Sequence, residues 1–374
     1  MSNTSNPTPI TTLDPTAGPV ALTRQLCDIA SVSGDEQCIA DAVEATLREH
    51  APHLVLTRDG DTVIARTELG RARRVAIAGH LDTVPINENL PVRDVTDDVS
   101  GEPMIWGRGT VDMKAGVAVQ LALAVELVEP TVDLTWIWYD HEEVASELSG
   151  LGRAMRHHPH LFGADFAILG EPSNGTIEGG CNGTLRARVT LRGTRAHSAR
   201  SWMGVNAIHR AGALLERLAQ FVPERIVVDG LEYREGLNAV RIEGGVAGNV
   251  IPDACVFEVN YRFAPSRNGA EASAFVEQFF ADADAVEIVD LAPGARPGLD
   301  APLAQRFVDA VGEIPTAKFG WTDVSRFSAL GIPAVNFGPG DPLLAHADDE
   351  RVPIAQIESS AAALRAWLTS EFDD

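Results

Sequence analysis

The sequence predicts an α/β protein: a mostly parallel central sheet flanked by helices, carrying an inserted α+β domain of ferredoxin-like order. Three observations lead there. Apolar runs of strand length alternate with segments of helical period in the first part of the chain and again near its end, the rhythm of strands crossed over by helices. The middle reads strand, helix, strand, strand, helix, strand, the order of a two-layer ferredoxin-like unit. The Gly/Pro-rich stretch Pro293-Gly294-Ala295-Arg296-Pro297-Gly298 marks the return from it. The expected division is 1–182 with 294–374 for the main domain and 183–293 for the insert.

The opening MSNTSNPTPITTLDPTAGP is polar, with no basic or apolar region of a signal peptide, and reads as a loose tail. Ala21 to His50 is helical in character, with Ser33 and Asp35 as N-cap candidates for its second half. Val63-Ile64-Ala65 and Val75-Ala76-Ile77-Ala78 are short strands, and Ala115 to Val128 is a helix rich in Ala, Val and Leu. Leu134 to Tyr139, apolar apart from Thr135, and Phe166 to Leu169 read as buried strands. In the insert, Gly183 to Arg192 alternates through Leu185, Ala187, Val189 and Leu191, and Gly204 to Gln220 is helical. Ala239 to Val246 and Ala254 to Phe263 alternate again, Ala270 to Ala281 is helical, and Ala285 to Leu291 closes the unit as a strand. Ala334 to Phe337 returns to the buried-strand pattern, and Ile354 to Thr369 is a closing helix.

Composition excludes several functions. The 374 residues include 30 Lys+Arg and 53 Asp+Glu, a net charge of −23 that repels nucleic acid and anionic membrane surfaces alike. The most apolar helical stretch, Val117 to Val128, is interrupted by Gln120 and Glu126 and is too short to cross a bilayer. Cys27, Cys38, Cys181 and Cys255 show no C-x-x-C spacing, which fits small reduced thiols in a cytoplasm and excludes a cysteine metal cage. Nucleophile elbows, H-E-x-x-H helices, phosphate-binding loops and dinucleotide fingerprints are all missing from the sequence.

Chemistry concentrates just after the buried strands. His80 and Asp82 follow Val75–Ala78; Glu142 and Glu143 follow Tyr139; Glu171 follows Leu169; His346 follows the last strand and a Gly/Pro loop. Asp112 sits on the Gly-rich turn Gly107-Arg108-Gly109-Thr110-Val111-Asp112 that leads into a helix. A single histidine or carboxylate in such a place is ordinarily a surface or satisfied structural group. Together they have a common destination, because parallel strands present their carboxyl ends along one edge. Two imidazoles and three carboxylates suit a pair of divalent ions, and an Asp on a tight turn can bridge ions about 3.5–4 Å apart. Asp82, two residues beyond His80 on the same face, can accept the free ring N–H and orient that ligand. Adjacent side chains diverge, so Glu143 can bind metal while Glu142 stays available for proton transfer.

The segments GHLDTVP, GRGTVDMKAG, HEE after an apolar strand, LGEP and the late His resemble the dinuclear zinc peptidases and deacylases of the M20 family. The likeness spans nearly the whole chain, the insert included. Within that family RAHSARSWMGVNAIH, REGLN, NVIPD, NYRFAP and KFGWTDVSRFSALGIPAVNFGPGDP are similar to its actinobacterial-type desuccinylases. The resemblance implies metal-dependent hydrolysis of N-succinyl-LL-2,6-diaminopimelate to succinate and LL-2,6-diaminopimelate. It implies that Asp112 bridges two ions, Zn2+ with Co2+ as the alternative, that His80 and Glu171 complete one site, and that Glu143 and His346 complete the other. Glu142 becomes the general base and acid, Asp82 orients His80, and a cis peptide is expected at Asp112–Met113. His197 is implied as the oxyanion-stabilising residue, reaching over from a partner subunit. Arg262, Asn249, Thr322 and Arg326 are implied as substrate-binding residues, and the insert as both lid and homodimerisation surface. Where Gram-negative desuccinylases carry an arginine pair, this chain reads Cys181-Asn182-Gly183, so the succinyl carboxylate must be recognised differently.

Two other readings stay open on sequence alone. Another N-acyl amino-acid deacylase, such as an acetylornithine deacetylase, an aminoacylase or a carboxypeptidase, would keep the mechanism and change the acyl group. A catalytically silent binding module would tolerate loss of Glu142 or of a ligand, yet every one of these residues is present.

Overall fold

The computed structural model describes residues 12–371, and these divide into two compact units. The first comprises the chain up to Glu178 together with Gly298–Pro315 and Arg326 onward; the second comprises Gly179–Pro297 and Thr316–Ser325. The division differs from the sequence expectation by a few residues at each junction and by the short segment around Thr322, which has no compositional mark. The return stretch is also not a slack linker: Cys181 and Ala295 exchange two backbone hydrogen bonds at 3.0 and 3.1 Å.

In the first unit the strands run Val55–Asp59, Thr62–Arg66, Asp133–Tyr139, Arg74–His80, Phe166–Leu169 and Ala334–Asn336 across the sheet. The last four are mutually parallel, and the first two form an antiparallel hairpin on their flank. Asp133–Tyr139 is buried along its whole length, which is why its sequence lacks alternation. The helix Lys114–Glu126 is buried on nearly every side, so its apolar residues form no stripe. With the helices Pro19–Asp28, Gln37–His50 and Ile354–Thr369 it encloses the main core. Phe307 anchors an aromatic cluster there, its ring centroid 5.0 Å from Phe337 and 4.9 Å from Trp367. Such pairs add about 0.5–1.5 kcal/mol each beyond area burial.

Two expectations change near the start. Residues 1–11 of the anticipated tail lie outside the described residues. From residue 12 the chain is anchored, with Leu13 in the core and Asp14 capping a short 3-10 turn. The long helical segment breaks between Asp28 and Gln37, and neither Ser33 nor Asp35 caps the second helix, whose N-cap is Glu36. Ser33 is occupied elsewhere, donating to the Asp82 carboxylate at 2.6 Å.

The second unit has the anticipated order. Its antiparallel sheet runs Gly236–Gly244, Ala254–Phe263, Gly183–Arg192, Ala285–Ala292, with the helices Ala207–Ala219 and Gly269–Phe279. An unanticipated hairpin, Arg225–Val228 with Leu231–Arg234, turns on Asp229-Gly230, both at positive φ. Asp-Gly between two β-rich runs is a standard signal for such a turn. Among the described residues Cys27, Cys181 and Cys255 are buried free thiols and Cys38 is exposed. No helix of the described residues is long and apolar enough to cross a membrane.

Candidate active site

The four parallel strands of the first unit end on one edge, and each delivers a predicted ligand there. His80 is the last residue of its strand and lies opposite Tyr139 in the register. Glu142 and Glu143 follow Tyr139, Glu171 follows Leu169, and His346 follows Asn336 after a Gly/Pro loop. Asp112 comes from the turn ahead of the buried helix. That helix approaches the loop of Glu171 so closely that a Cβ on Gly116 would lie 2.1 Å from the Gly170 carbonyl oxygen. Glycine there is a condition of bringing Asp112 and Glu171 together.

Three ligand groups result: His80 with Asp112 and Glu171, Asp112 with Glu143 and His346, and His80 with Glu142 and Glu143. Within each, the nearest donor atoms lie within 4.8 Å of one another. Asp112 divides its carboxylate between the two imidazoles. Its Oδ1 is 3.0 Å from His80 Nε2 and its Oδ2 is 3.3 Å from His346 Nε2, while His346 Nε2 is also 3.0 Å from Glu143 Oε1. The set strongly favours positive charge. Hydrogen bonds to Asp112 and Glu143 push the His346 imidazole up to about 10, and His80, although buried, is raised well above its ordinary value by Asp112 and Asp82. Borderline-soft nitrogens and hard carboxylate oxygens so clustered fit a pair of divalent cations of the zinc type. The peptide Asp112–Met113 is cis, as the resemblance implies.

Asp82 faces the His80 ring with both its backbone carbonyl and its carboxylate. His80 Nδ1 is 3.0 Å from the Asp82 carbonyl oxygen and 3.5 Å from its Oδ1. The carboxylate is engaged with other donors: Ser33 Oγ, the Glu142 N–H and the Glu143 N–H, the latter two at 3.0 Å. Burial alone would raise the Asp82 carboxyl, but these bonds and the imidazole hold it at about 2. Asp82 therefore fixes the strand exit that bears both glutamates, a role the spacing did not reveal. The same exit is braced by Asp140, which accepts from Arg153 Nη2 at 2.7 Å and pairs with His141 Nδ1 at 2.7 Å.

The remaining candidates do not belong to this cluster of carboxylates and imidazoles. His197, Asn249, Arg262 and Thr322 are part of the second unit. His197 and Asn249 are neighbours there: Ala196–His197 pairs with Val250–Ile251, and the Ser198 N–H donates to the Asn249 carbonyl at 2.9 Å. Arg262 is half-buried, donates to Asn260 Oδ1 at 3.1 Å and makes no ion pair among the described residues. The Thr322 carbonyl accepts from the Cys181 thiol at 3.6 Å. Arg326, in the first unit, donates to the carbonyl and hydroxyl of Ser146 at 2.9 and 2.8 Å and so holds the loop beyond Glu143.

Residues 76–370 match the peptidase family M20/M25/M40. A Mycobacterium tuberculosis chain with the provisional name succinyl-diaminopimelate desuccinylase DapE is 54% identical over 357 residues, 95% of this chain and 99% of that one. The succinyl-diaminopimelate desuccinylase of Corynebacterium glutamicum is 49% identical over 366 residues, 96% of this chain and 98% of that one. Among solved structures, a tripeptidase from Staphylococcus aureus superposes with a TM-score of 0.74 at 20% identity, covering 96% of this chain and 98% of its own. A dinuclear metal-binding peptidase from Bacillus subtilis gives 0.67 at 16% identity, covering 95% and 97%. The last two show the fold.

Proposed function

The chain belongs to peptidase family M20/M25/M40, and from that premise we propose that it hydrolyses N-succinyl-LL-2,6-diaminopimelate to succinate and LL-2,6-diaminopimelate. It is a metallo-amidohydrolase by family and by its near relatives. The observation that carries the reading is the Asp112 carboxylate, one oxygen facing His80 and the other facing His346. We assign His80 and Glu171 to one ion, Glu143 and His346 to the other, and Asp112 to both. Two divalent ions, zinc rather than cobalt, would polarise the amide carbonyl and acidify water towards a pKa of about 7 when bound.

The protein's own residues do the rest. Glu142 takes a proton from the attacking water as the new C–O bond forms, and delivers it to the departing nitrogen as the C–N bond breaks. Asp82 keeps Glu142 in place by accepting its backbone N–H. His197 donates to the oxyanion of the tetrahedral species. Arg262 receives a substrate carboxylate: a half-buried guanidinium with no carboxylate partner among the described residues is suited to a bidentate anion. Asn249, Thr322 and Arg326 complete the substrate contacts, Arg326 also donating to Ser146 on the loop beyond Glu143.

A homodimer through the second unit fits its surface. The strand Gly236–Gly244 is an edge with Val240 and Ile242 exposed, and Trp202 is 77% exposed nearby in sequence to Met203 and Val205. A cytoplasmic site of action suits the unpaired thiols.

The decisive experiment is turnover of N-succinyl-LL-2,6-diaminopimelate against N-acetylornithine and a panel of N-acyl amino acids, before and after chelation. The succinyl substrate should be preferred by orders of magnitude in kcat/KM, activity should vanish on chelation, and zinc should restore it. Preference for another acyl group would overturn the substrate while leaving the reaction type. His197→Ala is expected to depress kcat severely at unchanged metal content; undiminished turnover would remove His197 from the mechanism.

A further inference from the structure

We infer that Glu350, a buried carboxylate outside the ligand set, is the positioning residue that fixes the Asp112 turn and the His346 loop relative to one another. The antiparallel strands Pro103–Trp106 and Arg351–Pro353 pair Arg351 with Trp106, and the pairing continues one step further, the Gly107 N–H donating to the Glu350 carbonyl at 2.9 Å. That brings the Glu350 side chain under the Gly-rich turn, whose backbone donors converge on it. Oε1 accepts from the N–H groups of Val111 and Asp112 at 2.8 and 3.0 Å. Oε2 accepts from the Gly109 N–H at 3.0 Å and from Arg108 Nη1 at 2.9 Å. The carboxylate is 1% exposed, so all four donors depend on it rather than on water.

The same contacts reach the other ligand loop. Arg108 Nη1 also donates to the carbonyl of Ala347 at 3.2 Å, the residue immediately after His346. His346 itself sits at φ 65°, in the left-handed region that only a few per cent of non-glycine residues occupy. Glu350 therefore ties together Asp112, through its backbone N–H, and His346, through the chain four residues upstream and through Arg108. Those are the two residues whose separation sets the Asp112–Glu143–His346 group. Only a carboxylate serves: a glutamine amide would turn an NH2 towards backbone N–H groups, opposing donors where an acceptor is required.

The inference rests on the two-ion reading, and the test separates them. Zinc affinity of the metal-free full-length protein is measured by competition with a chromophoric chelator, alongside circular dichroism to confirm folding at the assay temperature. If the wild-type chain takes up no zinc, the two-ion reading fails first. If it binds two, Glu350→Gln should weaken zinc by about 10–100-fold, the effect typical of losing a partner that orients a ligand. The weakening should fall on one ion more than the other, and Glu350→Asp, which keeps the charge, should recover part of it. Folded Glu350→Gln with wild-type zinc affinity at both sites would overturn the assignment, since a purely structural carboxylate moves the melting temperature and not the metal. Should Glu350→Gln not fold, Arg108→Met is read instead: it leaves the three backbone N–H groups paired with Glu350 and removes the tether to Ala347. Selective weakening of one ion then supports the assignment, and unchanged affinity overturns it.

Discussion

Glu142→Gln is expected to lower kcat by about 10²–10⁴-fold while metal content and folding stay at wild-type values. The substitution keeps size and backbone and removes only the capacity to carry a proton. Its geometry makes the test informative, because Glu142 approaches His80 and Glu143 within one of the three ligand groups. If Glu142 were instead a ligand, the variant would lose an ion as well as activity. Atomic absorption on the purified variant, set beside its kcat, decides between the two. Two bound ions with near-normal turnover would end the proton-carrier assignment.

Asp112→Asn is expected to do the reverse, weakening metal binding before it touches proton transfer. Each Asp112 oxygen faces a different imidazole, so an amide would present a nitrogen donor to at least one of them. Metal content should fall from two ions to one or none, with a loss of activity at least as large as that of Glu142→Gln. Retention of two tightly held ions would show that Asp112 is not shared and would dismantle the dinuclear reading. Titrating the variant with excess zinc adds a second readout: activity lost through affinity returns in part, and activity lost through the missing bridge does not.

Much of this was legible in the chain. The buried strands announced themselves as mostly apolar runs without alternation, and the alternation Leu185, Ala187, Val189, Leu191 identified a half-exposed strand of the second unit. Every proposed metal ligand except His346, which a Gly/Pro loop separates from the last strand, lay just after such a run or on a Gly-x-Gly turn, so most of the edge where parallel strands end could be populated from sequence alone. Other features gave no such signal. Glu350 belongs to the acidic run Asp348-Asp349-Glu350, which resembles a solvated surface; a Gly-rich turn full of outward N–H groups was the hint that an acceptor was required. Ser33 looked like a helix cap because its neighbours have capping composition, yet its hydroxyl goes to Asp82, 49 positions away. Arg326 carries the chemistry of an anion ligand, and its bonds to Ser146, 180 positions away, left no trace in the sequence.

Local periodicity fixes which residues are buried and where each segment ends, since burial of a face every two or 3.6 residues is written into neighbouring side chains. The sequence thereby determined the α/β architecture, the second unit's order and the inventory of candidate metal-binding groups. Tertiary structure alone decided how those groups are shared: one Asp112 oxygen for each imidazole, the Asp82 carboxylate for the glutamate backbone, and Glu350 for two loops 239 positions apart. Those pairings follow from strand order across the sheet and from unmet backbone donors at its edge, neither of which leaves a periodic trace in the chain.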